Sequence, residues 1–178
     1  PLEDLRPQCL LPGLMDLHLH LPQYDAVALD GLELLPWLET HIFPAEARFT
    51  NPEVARASAK RCFQALARRG TTTAVIYGTV HETATVIAFQ EAERSGLRIV
   101  MGKVLMDRNA PGGLLEDTAD ALRASERLCE RWNGRDGGRL AYAFTPRFAP
   151  SCTPDLLRGA ARLAERHGAY LQTHLSAN

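Results

Sequence analysis

Two histidines stand one residue apart in the stretch LMDLHLHLPQYD at residues 14–25, where an apolar run ends. In a β-strand successive side chains point to opposite faces, so Asp16, His18 and His20 share one face. Two imidazoles on one face lie roughly 6–7 Å apart along the strand and can reach a single cation. The spacing therefore indicates a metal site, with a pair of solvent-facing histidines as the alternative that it leaves open.

A third histidine, His174, lies in the stretch LQTHLS, which follows the last helical segment of the chain. If the strands are ordered as a barrel, this side chain reaches the same edge as the first pair. Three neutral imidazoles with a water or a carboxylate form a catalytic zinc or iron site with an open position. Taken alone, His174 also fits a core histidine that binds a backbone carbonyl. We expect the remaining histidines to be surface or structural residues: His41, His81 and His167.

The elements that must position these side chains alternate between strand and helix. Apolar, β-branched runs predict strands at 13–20, 71–77, 98–106, 139–146 and 169–176. Helices are predicted between them at 51–70, 81–95, 116–132 and 153–168, with proline in the first turn of two and glycine at the end of the same two. This alternation is typical of an α/β fold with a parallel sheet and helical crossovers.

The alternation fits two architectures. A (β/α)8 TIM-type barrel needs eight strands and about 250 residues, so this chain would hold only the first five β/α units. A doubly wound open sheet is the rival. No glycine-rich phosphate turn follows the first strand, and polar residues follow the carboxyl ends of the strands, where a barrel carries its active site. Both observations favour the barrel, and the end of the chain directly after a strand suggests a truncated one.

Composition excludes several classes of partner. The chain has 178 residues, 46% of them hydrophobic and 23% charged, with a net charge of −1. A nearly neutral chain gives no electrostatic reason to expect binding to nucleic acid or to an anionic membrane, and no apolar run approaches the length of a membrane span. Its four cysteines are scattered without a CxxC pair, which is typical of reduced thiols in a cytoplasmic protein.

The stretch PGLMDLHLH at 12–20 resembles the first-strand signature of the amidohydrolase superfamily of metal-dependent hydrolases. Further blocks, in the same order along the chain, are similar to the guanine deaminase family: HLPQY, LELLPWLETHIFPAEARF, GTTTAVIYGTVH, GKVLMDRNAP, TPRFAPSCT and QTHLS. The resemblance implies hydrolysis of guanine to xanthine and ammonia in purine catabolism, usually by a homodimer. It also implies that residues 13–178 are the N-terminal part of the barrel and that residues 1–12 lead in from a small β domain.

The resemblance assigns roles to individual side chains. It implies one zinc ion, with iron as the alternative metal, bound by His18, His20 and His174 and completed by a histidine and an aspartate on later strands. It implies that Gln23 reads the edge of the purine and that Arg147 binds the purine carbonyl.

The remaining matched positions form the apolar part of the pocket. Phe148 would pack beside the purine ring, and Leu34 and Trp37 would form apolar walls. A planar heteroaromatic ligand needs flat apolar walls and a few fixed hydrogen-bonding groups, which agrees with these roles. A core position for Trp37 and a surface position for Arg147 remain open.

One position departs from the family pattern. The family carries His-x-x-Glu after the fifth strand, and this chain has Ala177 where the glutamate should stand. That glutamate moves protons between water and a ring nitrogen, and loss of such a group costs on the order of 10²–10⁴ in rate. We therefore expect a crippled enzyme, whether the alanine is engineered or natural. Another amidohydrolase acting on a ring amine or amide, or a non-catalytic purine-binding protein, is the alternative.

Overall fold

A computed structural model describes residues 3–29 and 31–176. Within these residues the strands are β1 (Leu14–His20), β2 (Thr71–Tyr77), β3 (Arg98–Gly102), β4 (Val104–Leu105), β5 (Leu140–Pro146) and β6 (Tyr170–Leu171). All of the strand pairs are parallel. The order across the sheet is β1-β2-β3-β5-β4, and β6 also pairs with β5. The predicted α/β fold with a parallel sheet is therefore confirmed.

The helices are α1 (Leu34–Trp37), α2 (Phe43–Ala47), α3 (Pro52–Arg68), α4 (Glu82–Ser95), α5 (Thr118–Trp132), α6 (Arg135–Gly138) and α7 (Pro154–His167). The long helices α3, α4, α5 and α7 pack against the sheet, and the short α1 and α2 lie near the carboxyl ends of its strands. Side chains cap three of the long helices at their N-termini, since Asn51, Asp117 and Thr153 accept hydrogen bonds from first-turn amides of α3, α5 and α7. All four predicted helices occur within two residues of their expected starts and ends.

The prediction of one continuous strand over 98–106 is wrong, because the strand breaks at Lys103. The backbone N–H of Lys103 donates to the Tyr142 hydroxyl at 3.3 Å instead of joining the sheet ladder. Its buried ammonium pairs with Glu116, and Gly102 lies so close to the next strand that a Cβ would be 1.6 Å from the Ala143 carbonyl oxygen. Because β3 and β4 both pair with β5, they form two halves of one strand position, and the described residues still supply five strand positions.

The predicted strand at 169–176 is also shorter than expected. Only Tyr170–Leu171 forms a ladder with β5, and an isolated bridge between Phe148 and His174 continues the pairing. The core lies between the sheet and α3, α4, α5 and α7. Its largest members include Phe89 and Trp132, whose rings stack with centroids 5.0 Å apart.

The strands at the two edges of the sheet, β1 and β6, expose apolar side chains. Leu14, Met15 and Leu17 of β1 are 60–69% exposed, and Tyr170 of β6 is 61% exposed. Residues 3–12 form no helix or strand and are exposed, and their assignment to a preceding β domain stays a prediction. In the described part of the chain, no helix combines the length and the apolar character needed to cross a membrane.

Candidate metal and ligand site

The three histidines singled out from the sequence meet at the carboxyl end of the sheet. His18 and His20 come from β1, and His174 follows β6. Their ring centroids lie 5.3 Å apart for the β1 pair and 4.9 Å from His174 to each of the two. One nitrogen atom of each ring lies within 4.8 Å of the others, so this group could hold a metal ion.

Tyr77 packs against all three rings and helps to hold them in place. It is paired with His20 in the register of β1 and β2. Its ring stacks on His20 at 4.5 Å and lies 4.3 Å from His174 and 5.1 Å from His18. Burial raises the pKa of the Tyr77 hydroxyl to about 12, so this group stays neutral near pH 7. The sequence places Tyr77 at a strand end, but only the strand register shows that it contacts the histidines.

The backbone of Arg147 fixes the orientation of His174. The His174 ring donates from Nδ1 to the Arg147 carbonyl oxygen at 2.6 Å, and the His174 backbone N–H donates to the same oxygen at 3.1 Å. A neutral ring that donates from Nδ1 carries its lone pair on Nε2. That nitrogen lies 2.9 Å from Nε2 of His20. Fixing a histidine through its second nitrogen is the usual support of a metal-ligating ring.

The protonation states also suit a metal. Burial lowers the pKa of His20 well below its ordinary value, and the positive charge of Arg147 and the neighbouring His174 and His18 lower it further. Burial likewise lowers the pKa of His174. Metal ligation requires neutral imidazole. His20 Nδ1 is buried without a hydrogen-bond partner in the described residues, so its polar contacts lie on the Nε2 side. This donor set fits a catalytic zinc or iron ion with open positions.

A cavity of about 330 Å³, here called the histidine cavity, opens beside the three rings. Its volume lies at the lower end of the range for small-molecule sites, about 300–1,000 Å³. It is lined by His18, Leu19, His20, Gln23, Leu34, Trp37, Leu38, Arg147, Phe148 and His174. The structure thus brings together all of the predicted metal-binding and ligand-binding residues in one space.

The walls of the histidine cavity are flat and largely apolar. The Trp37 indole N–H donates to the Leu29 carbonyl at 2.7 Å. This bond fixes the ring as a wall and removes its donor from use by a ligand. Phe148 lies between Arg147 and the 3-10 turn Ala149–Ser151, and its backbone pairs with that of His174.

A buried carboxylate, Glu46, connects the two polar side chains of the histidine cavity. Its Oε2 lies 2.5 Å from Arg147 Nη1, and both side chains are nearly inaccessible at 4% and 3% exposed. Its Oε1 accepts from Gln23 Nε2 at 3.5 Å. Arg147 also lies over the Phe43 ring, with its guanidinium carbon 5.3 Å from the centroid. Sequence reasoning missed Glu46, although the block FPAEARF that contains it is part of the resemblance.

Asp107, a polar residue just after β4, does not line the histidine cavity. Asp107 instead accepts hydrogen bonds from the hydroxyls of Thr118 and Thr153. His167, at the end of α7, also lies outside this cavity; its Nε2 lies 3.0 Å from Glu126 Oε1, and Glu130 is close enough to complete a group that could hold a metal ion. Ala177 lies outside the described residues.

Comparison with known proteins agrees with this geometry. The sequence model of the amidohydrolase family matches residues 9–178. Guanine deaminase of Escherichia coli (strain K12) is 42% identical over 176 residues, which is 98% of this chain and 40% of that protein. The solved structure of the E. coli guanine deaminase superposes with a TM-score of 0.89 over 94% of this chain and 38% of that one.

A guanine deaminase from C. acetobutylicum, solved with guanine bound in its active site, is 34% identical and has a TM-score of 0.90 over 94% of this chain and 40% of that one. The chain spans about 40% of the length of the curated relatives it matches. Its parallel strands and helices form part of the (β/α)8 barrel of these proteins, as predicted. With almost all of its residues matched by the family model, the chain belongs to the amidohydrolase family.

Proposed function

We propose that the protein carrying this chain is a zinc-dependent guanine deaminase, which hydrolyses guanine to xanthine and ammonia. One observation carries the proposal. Three histidines, two of them with pKa values lowered by burial, lie at one end of a cavity of about 330 Å³ whose other lining residues include Arg147, Gln23 and flat apolar side chains. This combination suits a small planar ligand placed beside a metal ion. The guanine deaminase of E. coli, at 42% identity, supports the choice of substrate.

His18, His20 and His174 would hold the zinc ion or, as the alternative, an iron ion. When bound, such an ion acts as a Lewis acid and makes water available as a nucleophile near neutral pH. Tyr77 and the Arg147 carbonyl keep the three rings in place. The depressed pKa values of His20 and His174 keep both rings neutral, so each has one nitrogen with a free lone pair.

The ligand would lie in the apolar part of the histidine cavity. Trp37, Leu34 and Phe148 would contact its faces and exclude water. The Arg147 guanidinium would donate to the purine carbonyl, since its planar fork has donors left beyond the one directed at Glu46. Gln23 would bind the purine edge. These contacts would bring the ring carbon that bears the amino group close to the histidines.

Ala177 lowers the rate of guanine turnover that we expect from this chain. The family pattern places a glutamate at this position, where it would accept and deliver protons, and an alanine methyl group can do neither. A chain with Ala177 should therefore bind guanine without efficient turnover.

The test is a chimera in which residues 1–176 replace the matching segment of the E. coli relative, followed by either alanine or glutamate at position 177. Ultraviolet absorbance follows the loss of guanine with and without added zinc. We expect the glutamate form to exceed the alanine form by on the order of 10²–10⁴ in kcat. If the zinc-loaded glutamate form binds guanine without converting it, the protein is a purine-binding protein rather than a deaminase. Turnover of another ring amine or amide in place of guanine would instead indicate a different hydrolase of the family.

The same proposal extends to the oligomeric state and the cellular compartment of the intact protein. We infer a homodimer in the cytoplasm that acts on free purine, with residues 1–12 leading in from a small β domain. Size-exclusion chromatography with light scattering on the intact protein measures the dimer directly, and a monomer at micromolar concentration would contradict it.

A further inference from the structure

The carboxylate of Glu46 is in contact with both polar side chains that the proposed function assigns to purine binding. We propose that Glu46 is a positioning residue, which orients Arg147 and Gln23 so that the histidine cavity selects a ligand with a ring carbonyl. The inference rests on the proposed function, because it concerns how the same cavity chooses among purines.

The Glu46–Arg147 pair is a buried contact between distant parts of the chain. The two residues are 101 positions apart, on α2 and at the end of β5. Only about 3% of each residue is accessible. A buried guanidinium is costly unless a carboxylate pairs with it, so Glu46 determines where the planar fork of Arg147 rests. The Phe43 ring on one face of the guanidinium restricts it further.

The second oxygen of Glu46 determines which end of the Gln23 amide faces a ligand. An ionised carboxylate only accepts hydrogen bonds, so the amide NH2 of Gln23 turns toward it, as the 3.5 Å contact shows. The amide oxygen of Gln23 is then directed away from Glu46 and can accept a hydrogen bond from a ligand N–H. Arg147 offers only donors.

The cavity therefore presents one acceptor, from Gln23, and a set of donors, from Arg147. A purine with a ring N–H and a carbonyl, such as guanine, matches this pair. A purine without the carbonyl leaves the buried donors of Arg147 without a partner, which lowers its affinity.

The experiment measures binding of two purines to the zinc-supplemented chimera described above, with alanine at position 177. 2-Aminopurine has the rings and exocyclic amine of guanine but lacks the carbonyl, and its fluorescence reports its own binding directly and that of guanine by competition. In the chimera without further substitutions, guanine should bind more tightly than 2-aminopurine. Glu46→Gln keeps the shape but removes the charge that orients Arg147, so we expect guanine affinity to fall about tenfold or more while 2-aminopurine affinity stays unchanged.

A general loss of structure would not produce this change in the ratio of the two affinities. In the Arg147→Lys background, Glu46→Gln should cost less guanine affinity than it does alone, because its effect through Arg147 is already lost and only its effect on Gln23 remains. The matched control is Glu91→Gln, which removes a buried carboxylate paired with Arg56 and Arg94 on the outer helices and should leave both affinities unchanged. If Glu46→Gln does not fold, Glu46→Asp keeps the charge but shortens the reach, and the same selective loss of guanine affinity is expected.

The outcomes separate this inference from the proposed function. An equal loss of both purines in the Glu46 variants, or full additivity with Arg147→Lys, would overturn the positioning role while leaving the deaminase proposal intact. Failure of the chimera without further substitutions to bind either purine would overturn the proposed function and this inference with it.

Discussion

Zinc should stabilise this chain, and His20 is the residue whose loss should abolish the effect. Its Nε2 lies 2.9 Å from that of His174, and its ring is the one that stacks most nearly parallel on Tyr77. His20→Ala removes one of three nitrogen donors. The matched control is His81→Ala, since His81 is also a half-buried histidine but lies outside the histidine cavity.

The size of the effect follows from ligand linkage. A ligand at about 100 times its Kd stabilises the folded state by about 2.7 kcal/mol. In a chain of this size each kcal/mol shifts Tm by about 2–4 °C, so saturating zinc should raise Tm by about 5–11 °C. Because burial lowers the pKa values of His20 and His174, protons compete poorly for these nitrogens, and the shift should persist at about pH 6.

Thermal unfolding followed by circular dichroism during a zinc titration measures this rise in Tm. Chelator added at the end of the titration should return Tm to its starting value. The histidine and aspartate that the resemblance implies on later strands are not among these residues, so zinc in the chain as purified should be substoichiometric. No rise in Tm at millimolar zinc, or an equal rise in His20→Ala, would refute the three-histidine site. Tight one-to-one zinc in the purified chain would show that ligands other than these three take part.

Two further predictions concern the core. Burial raises the pKa of Cys62 to about 12 and that of Cys129 to about 11, and it also raises that of Cys152, so these thiols hold very little thiolate at pH 8. Alkylation at that pH should modify the exposed Cys9 in the folded chain and all four cysteines in urea, and rapid labelling of a buried thiol before unfolding would contradict the packing. Phe89→Ala should lower the free energy of unfolding by about 3–5 kcal/mol, because it removes a fully buried ring stacked on Trp132. Urea unfolding measures this against Val27→Ala, an exposed position where the loss should be within about 0.5 kcal/mol.

Local signals were sufficient for most of the fold. β-Branched runs and capping residues such as Asn51 and Thr153 act on their immediate neighbours, so the helices and strand positions could be predicted from the sequence. The break at Lys103 could not be predicted from the sequence, because it depends on the Tyr142 hydroxyl 39 positions away and on the Glu116 carboxylate. A run of apolar residues does not reveal that its one lysine will be buried and paired.

The residues of the candidate site likewise fall into those that the sequence predicts and one that it misses. Alternation along β1 was enough to place His18 and His20 on one face, and the strand order of a barrel added His174. The family resemblance supplied Gln23 and Arg147. Glu46 was missed because its partner is 101 positions away. An acidic residue in a short helical segment is usually solvated, and only the packing of α2 against the end of β5 shows that this one is buried.

Arg147 connects the two ends of the histidine cavity through different atoms, and this leads to a separable prediction. Its backbone carbonyl accepts from His174, whereas its side chain pairs with Glu46. Arg147→Lys keeps the carbonyl and the charge but loses the planar fork. The zinc-induced rise in Tm should therefore be unchanged, while guanine affinity should fall by about 10- to 150-fold, the equivalent of one charged hydrogen bond of about 1.5–3 kcal/mol. Thermal unfolding with zinc and guanine competition against 2-aminopurine measure the two effects on one sample. Loss of the zinc response in Arg147→Lys would mean that the side chain, and not the carbonyl, holds His174 in place.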